Sequence, residues 1–174
     1  DPDTGEILWS NALSGGGTQG GVHFGMASEG ETVYVPLHDM EQTNDGKIYE
    51  DLKPGVHSVD AKTGELLWSK INPNNCGDIK FCDPGVSAAL TAIPGAVIAG
   101  HQDGKIRIYD KEDGEILWSF DALREFESVS GVPASGGGFS GPGSAVRNGY
   151  MAMNSGYGIY YHMPGNSLLL FSVD

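Results

Sequence analysis

Short apolar runs recur along this chain, each bounded by glycine or by acidic, turn-forming residues. Val33-Tyr34-Val35, Ala96-Val97-Ile98-Ala99 and Tyr150-Met151-Ala152-Met153 are β-prone runs that follow Gly or turn residues. Each leads to a second run that ends on Asp: Val56 to Asp60, Ile106 to Asp110, and Leu168 to Asp174. A tight turn carrying Gly follows, because Gly accepts a positive φ without steric cost. A run of the type Glu-Ile-Leu-Trp-Ser then predicts one more strand. Only residues 121–127 read as helical, as a single short turn.

The pattern is an internal repeat. Asp3-Thr4-Gly5-Glu6-Ile7-Leu8-Trp9-Ser10 returns as Lys62-Thr63-Gly64-Glu65-Leu66-Leu67-Trp68-Ser69, and again as Asp113-Gly114-Glu115-Ile116-Leu117-Trp118-Ser119. All three Trp residues of the chain share this register, and Asp1, Asp60 and Asp110 stand four positions before the glycine. The Asp-to-Asp intervals, with Asp174 included, are 59, 50 and 64 residues. Four-stranded units at this spacing predict an all-β fold of β-propeller blades built from antiparallel strands. The units run over residues 1–59, 60–109 and 110–174. Trp9, Trp68 and Trp118 are expected to dock one blade on the next, each indole N–H reaching a backbone carbonyl, with ligand stacking as the alternative.

Composition narrows the function classes. Glycine supplies 27 of 174 residues, about 16 % against a usual share of roughly 7 %. It follows no every-third-residue rule, which excludes collagen. The formal charge is −13 with only ten Lys and Arg, which argues against phosphate-rich nucleic acid. The acidic surface could steer a cationic partner. No apolar run approaches the roughly 18 residues of a membrane span. No charged-then-apolar leader is visible, so a secretion signal is expected to be absent or removed. Cys76 and Cys82 lack the Cys-x-x-Cys-His spacing of covalent c-type haem. They read as a disulfide closing a short rim loop in an oxidising periplasmic or extracellular setting, or as two thiols in a reducing one.

The repeat resembles the tryptophan-docking repeat of quinoprotein dehydrogenases, with Asp113 in place of Thr in the third copy. Several stretches are similar to the polyvinyl-alcohol dehydrogenase branch of that family. These are Cys82-Asp83-Pro84-Gly85-Val86-Ser87 preceded by Cys76, Ala99-Gly100-His101-Gln102-Asp103-Gly104, and Asn154-Ser155-Gly156-Tyr157-Gly158 followed by Met163-Pro164-Gly165-Asn166. Gly20-Gly21-Val22-His23-Phe24-Gly25 also matches, with Phe24 where Trp is usual. The resemblance implies alcohol oxidation with pyrroloquinoline quinone (PQQ) and Ca²⁺. Electrons would pass to a cytochrome or quinone. The alternative is a cofactor-free scaffold that binds proteins in the cell envelope, because the same repeat builds outer-membrane assembly proteins.

Three stretches stand where inner strands begin: residues 21–27, 83–89 and 139–145. Their small residues fit close crowding of strands, or a flat quinone lying against backbone. The quinone's carboxylates would need donors, and His23, Phe24, Gly25, Ser87, Ser140 and Ser144 are the expected contacts. His57 and His101 are expected nearer solvent, and Arg147 at a turn. The catalytic base and the metal ligands cannot be assigned. The oxygen-rich residues 39–46 read as a solvated acidic loop. Three blades are fewer than the four to eight of a closed propeller. The chain is therefore expected to be a segment of a larger ring, completed by further blades or by self-association, and inactive alone.

Overall fold

Thirteen strands and no helix form among the described residues of the computed structural model, which are 1–16, 19–40, 50–158 and 160–173. Strands β1 (Ala27–Glu29), β2 (Thr32–Leu37), β3 (Gly55–Asp60) and β4 (Leu66–Ile71) make one antiparallel sheet in chain order. Strands β5 (Thr91–Ile93), β6 (Ala96–Gly100), β7 (Lys105–Asp110) and β8 (Ile116–Asp121) make a second sheet of the same order. A two-stranded ribbon of β9 (Glu125–Phe126) and β10 (Ala134–Ser135) follows. A three-stranded sheet of β11 (Ala145–Arg147), β12 (Tyr150–Ser155) and β13 (Ser167–Ser172) completes the described elements. The architecture is all-β, a partial propeller whose sheets do not close into a ring. Each Asp-to-Asp sequence unit therefore spans parts of neighbouring sheets.

Two local expectations are corrected. Residues 121–127 are not helical. Asp121 ends β8, and Phe126 pairs with Ala134 in the ribbon. The Arg124 guanidinium lies 4.7 Å above the Phe120 ring and 5.1 Å above the Phe126 ring, which holds the segment extended. So short a run could not meet the cost of helix nucleation. Residues 6–10, expected as a strand, lie in no sheet among the described residues. They have the Trp-bearing sequence, but no third strand runs beside them, and an unpaired strand has no ladder to hold it.

The sheets stack face to face. Tyr34 and Val56 of the first sheet pack with Val97, Ala99 and Tyr109 of the second. Ile98 and Ile106 of the second pack with Phe139 of the connection before β11 and with Met151, Met153 and Leu169 of the three-stranded sheet. Trp9 and Leu13 cover Val35, Leu37 and Val59 on the outer face of the first sheet.

The repeat turns join these layers. Trp9 Nε1 donates to the Ala61 carbonyl at 2.9 Å, and Trp68 Nε1 donates to the Lys111 carbonyl at 2.9 Å. Both acceptors directly follow the repeat Asp. The indoles lie on the turn glycines: a Cβ on Gly64 would clash with Cε3 and Cδ2 of the Trp9 ring, and one on Gly114 would come within 2.7 Å of Trp68 Cε3. Those glycines also carry φ of 72° and 70°. The turn itself is held by its Asp. Asp60 Oδ1 accepts from Lys62 N–H (2.9 Å) and Thr63 N–H (2.8 Å), and Gly64 N–H donates to Asp60 O (2.8 Å). Asp113 keeps one of the two roles of Thr63: Glu115 N–H donates to Asp113 Oδ1 at 2.8 Å as Glu65 N–H donates to Thr63 Oγ1 at 3.2 Å, but the Thr63 hydroxyl bond to Asp60 Oδ1 (3.1 Å) has no counterpart, because a carboxylate has no proton to donate. A β-bulge sits at the same place in both four-stranded sheets, between Ser58 and Val59 and between Ile108 and Tyr109.

Antiparallel order puts the connections 30–31, 61–65, 94–95, 111–115 and 148–149 at one rim. The described residues of the other connections, 38–40, 50–54, 72–90, 101–104, 122–144, 156–158 and 160–166, lie toward the opposite one. They form the rim that carries the polar residues discussed below.

Gly64 should tolerate no side chain. Gly64→Ala is expected to cost about 3 kcal/mol, because strain at positive φ adds to displacement of the indole. Gly30→Ala, at φ 60° with open space around it, should cost only about 1 kcal/mol. Urea unfolding of the two variants checks the difference.

Candidate functional site

Three small-residue stretches run side by side into β1, β5 and β11. Leu90 N–H donates to Gly25 O at 3.1 Å, and Ala89 N–H donates to Gly141 O at 2.9 Å, so the middle stretch bridges the outer two. The approach is close: a Cβ on Gly25 would stand 3.1 Å from Ala89 Cβ, and one on Gly143 would stand 2.5 Å from Ala89 O. Crowding of backbone thus accounts for glycine at 25 and 143.

This framework brings His23, Phe24 and Ser87 together. The buried Ser87 Oγ lies 3.0 Å from His23 Nδ1. The half-exposed Phe24, at φ 53°, places its ring 4.4 Å from the His23 imidazole. Burial lowers the His23 pKa from its ordinary value of 6.5. Ser140 and Ser144 are buried in the third stretch, and neither hydroxyl has a partner among the described residues. Thr91 Oγ1 donates to Ser144 O at 2.9 Å and ties that stretch to β5. Arg147 is exposed at the end of β11, at the opposite rim.

Two histidines that the sequence did not single out complete the group. The His38 ring lies 5.7 Å from that of His23 and 5.5 Å from that of His162. His38 Nδ1 donates to the Gln19 carbonyl at 2.6 Å, and its buried Nε2 has no partner among the described residues. Neither ring nitrogen of the buried His162 has a partner among the described residues. Desolvation drives both pKa values down to about 4, and the neighbouring rings add to the fall. The cluster unites the first sheet with the β12–β13 connection, residues far apart in the chain, so no local motif could announce it. Beside it, the buried Asp39 carboxylate accepts from Ser14 Oγ (3.0 Å), Gly21 N–H (2.8 Å) and Lys53 N–H (2.8 Å). It fastens three segments of the rim. Residues 41–46 of the acidic loop lie outside the described residues.

His57 and His101 are not near solvent. Both are buried because each has a partner for both ring nitrogens. His57 Nε2 donates to Lys53 O (2.9 Å) and Nδ1 accepts from Ser69 Oγ (2.8 Å). His101 Nδ1 accepts from Asn72 Nδ2 (2.6 Å), and its Nε2 lies 3.0 Å from Tyr109 Oη. Burial lowers both pKa values.

Cys76 and Cys82 form a disulfide with Cα atoms 5.5 Å apart. It closes the loop that enters Asp83-Pro84-Gly85, directly before Ser87. The Arg107 guanidinium pairs with Asp103 through both carboxylate oxygens, at 2.6 and 3.2 Å. Among the described residues no group of three His, Cys, Asp or Glu is placed to hold a metal ion. The rim thus offers neutral N–H and O–H groups around buried imidazoles. It can donate hydrogen bonds to a polar ligand, and it presents no free cation from Arg107.

Comparison with known proteins places this geometry. The family described as outer membrane protein assembly factor BamB matches residues 1–138. A polyvinylalcohol dehydrogenase of Pseudomonas sp. is 37 % identical over 190 residues, covering 100 % of this chain and 28 % of the relative. A polyvinylalcohol dehydrogenase of Sphingopyxis sp. (strain 113P3) is 33 % identical over 191 residues, with the same two shares. The chain therefore spans about 28 % of the length of these curated relatives. The crystal structure of quinohemoprotein alcohol dehydrogenase from Comamonas testosteroni superimposes with a TM-score of 0.59 at 19 % identity, over 93 % of this chain and 20 % of that one. This last likeness is one of fold.

The low histidine pKa values predict acid sensitivity. His38 and His162 titrate near 4 when folded and near 6.5 when unfolded. The unfolded chain therefore binds more protons between those values. Stability should be full above pH 6.5 and fall as pH drops toward 4. Urea midpoints at pH 7 and pH 5 should differ clearly, and His38→Gln with His162→Gln should reduce that difference.

Proposed function

This chain belongs to the PQQ-repeat family described as outer membrane protein assembly factor BamB, and on that premise we propose that it is a propeller segment of a PQQ-dependent alcohol dehydrogenase of the polyvinyl-alcohol dehydrogenase type. The observation that carries this reading is the match at 37 % identity over the whole chain to a protein of that name. PQQ is a flat ortho-quinone with three carboxylates, so a fitting wall must supply donors. Ser140 Oγ, Ser144 Oγ and the ring nitrogens of His162, one of which carries a proton, are buried with no partner among the described residues, and such groups are costly unless something pairs with them. The rim residues therefore fit the group. When bound, the quinone supplies a two-electron acceptor for alcohol oxidation.

His23, Ser87, Ser140, Ser144 and His162 would hold the cofactor as neutral donors, with Gly25 admitting close backbone approach and Phe24 covering the edge of the wall. His162, uncharged at neutral pH, would donate through one ring nitrogen without adding charge, whereas His38, its proton given to the Gln19 carbonyl, offers Nε2 as an acceptor. The cations that balance three carboxylates, the ligands of any Ca²⁺, and the base that takes the alcohol proton would come from other blades of the longer protein. A periplasmic or extracellular location agrees with the Cys76–Cys82 bond. No helix among the described residues is long and apolar enough to cross a membrane. Electrons would leave to a cytochrome or quinone, and the net charge of −13 would favour a basic acceptor domain.

A second reading, a non-catalytic scaffold of the cell envelope, draws on the family description that covers residues 1–138. Calorimetric titration with the quinone separates the two. The cofactor reading expects binding by the wild-type chain, at least tenfold weaker binding by Ser140→Ala with His162→Phe, and no alcohol-dependent dye reduction by this segment alone. Absence of any binding by the wild-type chain would favour the scaffold.

A further inference from the structure

Seven non-glycine residues among the described ones have a positive φ, and they are of two kinds. Asp39, Asp51 and Asn148 belong to the types that enter this region readily. Phe24, Phe81, Tyr160 and Tyr161, at φ of 53°, 66°, 52° and 67°, do not, because a bulky side chain there crowds its own backbone. All four aromatic residues lie on the rim that carries the histidine cluster, and none of them is buried. Such strain persists only where the surroundings enforce it, and it gathers at ligand clamps.

The enforcing contacts lie within the chain. The Cys76–Cys82 bond closes the loop that carries Phe81, and Ile79 N–H to Cys76 O (3.1 Å) and Cys82 N–H to Ile79 O (3.2 Å) hold its turns. The β12–β13 connection is closed at its base by Gly165 N–H to Gly156 O (2.9 Å) and pinned to Gly138, whose N–H donates to Met163 O (3.0 Å). Gln19 Nε2 donates to Tyr160 O at 2.9 Å and ties the same connection to the segment before β1. Each loop is anchored on both sides by strands of the described sheets, β4 and β5 for Phe81, β12 and β13 for Tyr161. The two loops meet ring to ring, with the Phe81 and Tyr161 centroids 5.9 Å apart and the planes tilted by 53°.

From this pair the rings lead inward. Tyr161 directly precedes His162, whose ring lies 5.5 Å from that of His38. His38 lies 5.7 Å from His23, which stacks at 4.4 Å on Phe24. An exposed aromatic surface therefore adjoins the buried donors. Ring faces take up CH and CH2 groups, and phenol hydroxyls both donate to and accept from alcohols. Tyr160 and Tyr161 are exposed, and their hydroxyls make no hydrogen bond among the described residues. The Lys80 ammonium, 4.8 Å from the Phe81 ring centroid, adds a further donor. The net charge of −13 disfavours a polyanion. The matching ligand is a neutral carbon chain that carries hydroxyl groups at intervals.

We propose that Phe81, Tyr160 and Tyr161 form a docking platform for a polymeric alcohol, holding successive units outside the donor cluster while one hydroxyl is presented to it; the class of ligand rests on the alcohol-oxidising reading above. The backbone holds these rings in place before any ligand arrives, so little order is lost on binding. A single unit gains little from so few rings. A polymer rebinds unit after unit at the same platform, so its apparent affinity rises with chain length. The platform thus favours long chains over small alcohols.

The test uses the 174-residue chain without quinone. Poly(vinyl alcohol) immobilised on a biosensor should capture the wild-type chain. The two-hydroxyl fragment pentane-2,4-diol should compete only at hydroxyl concentrations about a hundredfold above those of soluble polymer. Phe81→Gly with Tyr161→Gly removes both rings and suits the positive φ of each position. Circular dichroism should be unchanged while capture weakens roughly tenfold. Tyr161→Phe, which keeps the ring, should retain most of the capture. Tyr150→Ala, which removes an exposed tyrosine at the opposite rim, should leave it unchanged. No capture of the wild-type chain, capture that survives loss of both rings, or competition by the diol equal to that of polymer would overturn the platform. An equal loss in Tyr150→Ala would mark general adhesion and overturn it as well. Quinone binding is measured separately through Ser140 and His162. Its failure with polymer capture intact refutes the cofactor reading alone, and the reverse refutes the platform alone.

Discussion

The structure depends on one contact: an indole laid on a glycine of the following turn, with its N–H on a backbone carbonyl. The hydrogen bond contributes about 1 kcal/mol net, and burial of the large ring adds more. Its more important effect is geometric. Because the turn glycine has no Cβ, the indole can lie flat on the backbone, and the position of one sheet's outer edge then fixes the next sheet's turn. Trp9 fixes the first sheet and Trp68 fixes the second. Trp118, the third indole in this register, borders an apolar cavity between the second sheet and the last one. The stack is therefore quasi-one-dimensional, each sheet held by its neighbours.

The rim chemistry follows from that stacking. Sheets held at a fixed spacing by their outer strands bring the entrances of their inner strands into contact, and only small residues fit there. Ala89 lies against Gly25 on one side and Gly143 on the other. The long connections above these entrances have nowhere to go but over one another, so His38 and His162 are buried against each other from opposite ends of the chain. Burial keeps them neutral, and the Asp39 carboxylate nearby is spent on ordering backbone N–H groups of the rim. The result is a pre-formed, uncharged donor surface. It suits a ligand that brings its own negative charge only if other blades complete the balance.

Part of this was legible beforehand. The Trp register and the Asp-x-x-Thr-Gly turn predicted all-β sheets of four strands, since turn chemistry and strand length are local properties. The helical reading of residues 121–127 failed because the placement of Arg124 over both Phe120 and Phe126 is set by the packed ribbon, not by propensity. His57 and His101 were expected near solvent, because a histidine beside a hairpin normally is. Each is buried by partners that sheet pairing and loop closure supply: Ser69 across β3 and β4 for His57, and Asn72 from the preceding connection for His101. The His38–His162 pairing had no sequence signal at all, as more than a hundred residues separate its members.

What the sequence alone determined is the repeating unit: its strands, its Asp-held turn, its glycine and its tryptophan. Those depend on interactions within a few residues, or on a register that recurs identically in each copy. What only the tertiary structure decided is which units are satisfied. The same hexapeptide is a strand at residues 116–119 and unpaired at residues 7–10, because a strand exists only where a neighbouring edge accepts its backbone hydrogen bonds. The same applies to the histidines, since identical rings are inert or available according to whether packing brings a partner to each nitrogen.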